Sequence, residues 1–191
     1  LLPGSRTAEG KALIGDFCRT MGILRERGNK ILCLLPTVPH VEDLVRKSVA
    51  LWPEVPEIIV DAERKWQSFG EADAALIASG TVSLELALSG VPMISCYRLD
   101  PMMRAVQSLV TVWSAALPNI IADRTVVPEH YNQYVRPAYL ARQLESLTND
   151  TAARQWQLEG FAEIGRRMAT GRPAGKIAPL RDRQTMLFFA P

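Results

Sequence analysis

Five apolar residues, Ala74 to Ala78, stop abruptly at Ser79, Gly80 and Thr81. Leu84, Ala87 and Leu88 then recur at helical spacing up to Gly90, and Pro92 to Cys96 begins a second apolar run. A strand, a glycine turn, a helix and another strand satisfy this pattern, and it is the strongest local signal in the chain. Two strands joined in this way by a helix run parallel.

The same alternation continues on both sides. A first helix is expected from near Thr7, placed as its N-cap, to about Arg27, where Gly28 and Asn29 supply a stop. A strand is expected at Ile31 to Leu35, a loop at Pro36 and Pro39, and a helix carrying Val41, Leu44, Val45, Val49 and Leu51 up to Pro53. Ile58 to Val60 reads as a second short strand and Glu63 to Phe69 as a short helix. Further on, helices are expected over Pro101 to Val112, Pro137 to Leu147 and Thr151 to Met168, with Ser114 to Glu129 irregular and apolar. Short apolar runs alternating with helical periods specify an α/β domain with a mostly parallel, helix-flanked sheet, over residues 1–170. Residues 171–191, with Pro173, Gly175 and Pro179, read as a flexible tail in which Met186 to Phe189 is the part able to dock.

Composition narrows the function. The 191 residues are 48% hydrophobic and 22% charged with a net charge of +2, too small an excess to predict a nucleic-acid partner. Cys18, Cys33 and Cys96 show no paired spacing and sit in apolar surroundings, as reduced core residues do. His40 and His130 stand far apart, and no metal site is legible. The longest uncharged stretch, Ala105 to Ala122, follows Arg104 and is broken by Gln107, Pro118 and Asn119, which suits a buried or interfacial helix and loop better than a membrane span. Leu1 is not an initiating methionine and the first residues already belong to a motif, so the chain is expected to continue a longer protein.

Four polar constellations interrupt the apolar pattern. Pro3-Gly4-Ser5-Arg6 lies between an expected strand end and a helix, where free backbone N–H groups and a guanidinium converge on a point suited to phosphate, although an ordinary capped loop has the same signature. In Ser79-Gly80-Thr81, Gly80 lets the backbone approach a ligand, the two hydroxyls flank it, and the following helix turns its N-terminus to negative charge. Glu85, about one turn into that helix on the side of Thr81, is placed to accept hydrogen bonds from ribose hydroxyls, or else is a solvated helix carboxylate. Asn119 in Leu117-Pro118-Asn119-Ile120, and Glu129 with Gln133 after Val127-Pro128, are polar groups in apolar loops that must find partners, within the protein or on a ligand.

LLPGSR, ADAALIASGTVSLELALSGVPMISCYRL and LPNIIADRTVVPEHYNQ, in this order and spacing, resemble the lipid-A-disaccharide synthases over roughly residues 1–150. The resemblance implies the carboxy-terminal, nucleotide-sugar-binding half of a GT-B glycosyltransferase, whose two Rossmann-like halves face each other across a cleft. It further implies transfer of 2,3-diacylglucosamine from UDP-2,3-diacylglucosamine to 2,3-diacylglucosamine 1-phosphate, giving a β-1,6 disaccharide and UDP, with inversion and with no cofactor or metal. By this likeness Ser5 and Arg6 contact phosphate, Ser79, Gly80 and Thr81 line the diphosphate pocket, Glu85 takes the ribose, and Asn119, Glu129 and Gln133 shape the uridine and sugar side. The catalytic base and acceptor site are expected in the amino-terminal half, so this chain alone would bind rather than catalyse. The acylated substrates imply a cytoplasmic protein, peripheral on the inner-membrane surface, with Arg98 and Arg104 among the basic residues near the bilayer. Two other readings stay open at this point. One is a different GT-B enzyme, such as a UDP-N-acetylglucosamine 2-epimerase or a peptidoglycan glycosyltransferase; the other is a non-catalytic nucleotide-binding module from a truncated gene.

Overall fold

The computed structural model describes residues 1–2, 7–78, 80–98 and 113–170. The expected helix at Pro101 to Val112 and the tail therefore lie outside the described residues, as do Ser5, Arg6, Ser79 and Arg104.

The elements follow in the order α1 (Thr7–Glu26), β1 (Leu34–Pro36), α2 (Glu42–Val49), β2 (Glu57–Ile59), α3 (Ala62–Glu71), β3 (Ala75–Ile77), α4 (Gly80–Leu88) and β4 (Met93–Tyr97). After the undescribed segment come α5 (Leu117–Ala122), β5 (Glu129–Tyr131), α6 (Pro137–Thr148) and α7 (Ala152–Thr170). Their ends carry ordinary stereochemical reasons. The Asp61 carboxylate accepts the Arg64 N–H at 2.7 Å to cap α3. Proline occupies the first turn of α5 and of α6, where its missing N–H costs nothing, and Asp123 ends α5 at φ 54°.

All strand pairings are parallel: β1 with β2, and β3 with β4 and β4 with β5. Leu1 and Leu2 join the two ladders. The Leu1 nitrogen donates to the Leu34 carbonyl at 2.5 Å, Leu2 N–H donates to Leu76 at 2.9 Å, and Ala78 N–H donates to Leu2 at 2.8 Å. Counting Leu1–Leu2 as the first strand, the spatial order is β2, β1, Leu1–Leu2, β3, β4, β5, the order of a Rossmann-like doubly wound sheet.

Alternate residues of the central strands feed two cores. Ala75, Ile77 and Met93 pack with Phe69, Leu86, Phe161 and Ile164 on the face covered by α3, α4 and α7. Leu76, Ile94 and Cys96 pack with Leu13, Phe17, Leu140 and Leu144 on the face covered by α1, α2 and α6. Each fully buried Leu or Ile contributes roughly 1.5–3 kcal/mol, against about 1 kcal/mol net for a ladder hydrogen bond, so these clusters hold the short strands in place. The strands expected from sequence are present, displaced by one to three residues. The stretch Ser114 to Glu129, expected to be irregular, contains α5 and runs directly into β5, whose three half-buried residues give no apolar run to read.

Candidate nucleotide site

Leu2 and Ala78 are hydrogen-bonded neighbours on adjacent strands. The helix that follows Leu2 in sequence, α1, covers one face of the sheet, and the helix that follows Ala78, α4, covers the other. The carboxyl ends of the strands at such a divergence are the usual ligand position in an open parallel sheet. The flanks of both glycine-containing motifs thus meet at this one edge. Ser5, Arg6 and Ser79 belong to the segments between those flanks and lie outside the described residues.

Gly80 opens α4 under close constraint. A Cβ at this position would stand 2.6 Å from the carbonyl oxygen of Ala115, so only glycine lets the two backbones approach this closely. The buried Ser83 hydroxyl donates to the Gly80 carbonyl. Thr81 is exposed on the first turn. Glu85, in the next turn, has a side chain 31% exposed, and its Oε2 accepts a hydrogen bond from Lys65 Nζ of α3 at 2.6 Å.

Beyond Gly80, residues 114–116 form a turn held from β5. Glu129 accepts from Ser114 Oγ at 2.6 Å, from the backbone N–H groups of Ala115 and Ala116 at 3.0 and 3.1 Å, and from the Tyr131 hydroxyl at 3.0 Å. Burial, followed by the charge and hydrogen bond of Glu129, pushes the Tyr131 phenol upward, so it stays protonated. The Tyr131 ring stacks on Tyr97 at 4.9 Å. Asn119 is fully buried. Its Oδ1 accepts from Val126 and Val127 N–H, both at 2.8 Å, and its Nδ2 donates to the Val127 carbonyl at 2.9 Å and to Ser114 Oγ at 3.2 Å. Glu129 and Asn119 are therefore committed to protein partners. They fix the turn that abuts Gly80.

Gln133 is exposed in the single helical turn Asn132–Tyr134 that follows β5, again at a carboxyl strand end. His130 faces elsewhere: its Nε2 lies 2.7 Å from Gln143 Oε1 and its ring meets Tyr139 edge-on. A groove of about 270 Å³, lined by Thr125, Val126, Pro128, Trp156 and Gln157 among others, opens near the start of β4 and β5, and none of the sequence-predicted residues lines it. Among the described residues no group of three His, Cys, Asp or Glu side chains could hold a metal ion, and no helix is long and apolar enough to cross a membrane.

Two residues escaped the sequence reading. Lys65 gave no signal, being one charge on a short amphipathic helix. Asp16 did leave a trace, as a carboxylate beside Leu13, Ile14 and Phe17; it is 1% exposed and accepts from Arg98 Nη2 at 2.6 Å and from Arg19 at 2.5 Å. Arg98, expected near a bilayer, thus directs its guanidinium inward.

Comparison with known proteins decides the family. A family model described as lipid-A-disaccharide synthetase matches residues 1–170. The chain belongs to the lipid-A-disaccharide synthetase family. Lipid-A-disaccharide synthases similar to it include one from Bradyrhizobium diazoefficiens, 37% identical over 93% of this chain and 45% of the relative. Another, from Rhodospirillum centenum, is 41% identical over 90% of the chain and 43% of the relative. A third, from Rhodopseudomonas palustris, is 37% identical over 94% and 47%. The chain thus spans a little under half the length of these synthases.

Proposed function

We propose that this chain is the nucleotide-sugar-binding half of a lipid-A-disaccharide synthase that transfers 2,3-diacylglucosamine, with inversion, from its UDP carrier to 2,3-diacylglucosamine 1-phosphate. The observation that carries the reading is the close approach of Gly80, at the start of α4 beside the sheet's switch point, to Ala115, within a chain matched to the synthetase family. The N-terminus of α4, with Ser79, Thr81 and Arg6, offsets charge on the diphosphate as UDP departs, and requires no metal to do so. Glu85 accepts from the ribose, and Gln133 stands at the uridine and sugar side. Asn119 and Glu129 act there by holding the 114–116 turn.

The base that deprotonates the acceptor hydroxyl belongs to the amino-terminal half, so this chain alone binds donor without turnover. The protein works at the cytoplasmic face of the inner membrane, where its acylated substrates reside. The test is UDP release by the full-length protein supplied with both diacylated sugars. Release that requires both substrates supports the reading; turnover of UDP-N-acetylglucosamine without a lipid acceptor, or none with the diacylated pair, would overturn it.

A further inference from the structure

We propose that Lys65 is a positioning residue for the nucleoside: its ammonium group holds the Glu85 carboxylate in the orientation from which it accepts hydrogen bonds from the ribose hydroxyls. The inference rests on the assignment of Glu85 to the ribose and extends it to a residue on a different helix.

Lys65 and Glu85 come from α3 and α4 and meet at 2.6 Å, with side chains 29% and 31% exposed. The partial burial matters, because a fully exposed pair of this kind exerts little directional hold. The lysine is itself fixed. Its Nζ lies 5.1 Å from the Trp66 ring centroid and 5.5 Å from that of the buried Phe69, and those two rings pack edge to face. An otherwise flexible stem is thereby laid against a rigid aromatic wall of the core.

The contact is one-sided. Lys65 engages Oε2, and among the described residues Oε1 accepts no hydrogen bond, so one oxygen is anchored and the other is presented. Geometry also separates this pair from the diphosphate. Glu85 lies five residues into α4, about 7.5 Å along the axis from the N-terminus that faces phosphate. An ammonium bound at that depth serves the carboxylate and the nucleoside end.

The experiment is calorimetric titration of the full-length protein with UDP and with 2′-deoxy-UDP, read as the ratio of the two affinities within each variant. The parent is expected to favour UDP by about tenfold, the worth of a hydrogen bond to a charged group. In Lys65→Met this ratio should fall to near one as UDP affinity drops, and Lys65→Arg, which keeps a cation over the same rings, should retain most of it. A Lys65→Met protein that keeps the parent ratio overturns the proposal. So does an equal loss for both ligands, which would mark a phosphate contact or general loosening. If Lys65→Met does not fold, Lys65→Gln is read the same way. Glu85→Ala separates the two levels: an undiminished ratio there, or no preference in the parent, removes the ribose assignment itself. Collapse in Glu85→Ala with persistence in Lys65→Met removes Lys65 alone.

Discussion

The side-chain amide of Gln157 takes the place of a neighbouring strand for Met93. Gln157 Oε1 accepts the Met93 N–H at 2.8 Å and its Nε2 donates to the Met93 carbonyl at 3.0 Å, both residues being buried. The β5 pairing begins only at Ser95, so without this amide the start of β4 would carry an unpaired donor and acceptor. Gln157→Leu should cost about 2–4 kcal/mol in urea unfolding, well above an ordinary surface change. A loss below about 0.5 kcal/mol would mean that water reaches the strand end.

Gly80→Ala tests the approach of α4 to the 114–116 turn. Alanine favours a helix interior over glycine by about 1 kcal/mol, but the gain is small at the first residue. The new Cβ meets a backbone oxygen that cannot rotate away. The expected result is a net loss of about 1–3 kcal/mol together with weaker UDP binding. A more stable variant with unchanged affinity would show that the turn is free to retreat.

Arg6→Ala and Glu85→Ala should weaken UDP binding through different parts of the ligand. Loss of the Arg6 guanidinium is expected to cost roughly 1.5–3 kcal/mol for UDP and almost nothing for uridine. Loss of Glu85 should weaken UDP and uridine by similar amounts. Titration of the full-length variants with both ligands decides it. Equal losses in Arg6→Ala, or none in Glu85→Ala, would contradict these roles.

Acid should loosen the contact between α1 and α6. Arg27 donates to Glu145 from Nε and Nη2 at 2.7 and 2.6 Å, and Asn29 adds a third bond at 2.8 Å. Hydrogen bonds from Arg27 and then Asn29 hold the Glu145 carboxyl below its ordinary value. A lowered folded value contributes stability in full above the unfolded value, near pH 4.3, and loses it as pH falls through the folded one. Glu145→Gln should therefore unfold at lower urea than the parent at pH 7, and the two curves should converge as pH falls through the lowered folded value of Glu145. A constant gap across that range would assign the effect to shape rather than charge.

Periodicity revealed the layered fold because the central strands are buried on both sides and read as continuous apolar runs. It failed at β5, where Glu129, His130 and Tyr131 form an edge stabilised by polar contacts rather than burial. It failed also at α5, where Pro118, read as a break, occupies the first turn of a six-residue helix. Gly80 was legible through its setting between a strand and a helix. The commitment of Asn119 and Glu129 to internal bonds was open from sequence, since an apolar loop demands partners for its polar groups without saying whose. Lys65 was invisible for a different reason: its significance arises only from the packing of α3 beside α4.

The division of β3 and β4 between two cores makes those strands intolerant of displacement. Sliding β3 by one residue would carry Leu76 into the space shaped for Ala75 and Ile77, and would empty the opposite layer at the same stroke. Neither helical layer can then detach as a separate unit, because the sheet residue that releases one is chain neighbour to the residue that anchors the other. Gly80 lies three residues beyond the end of that doubly clamped strand, so its approach to Ala115 should persist as long as the sheet does.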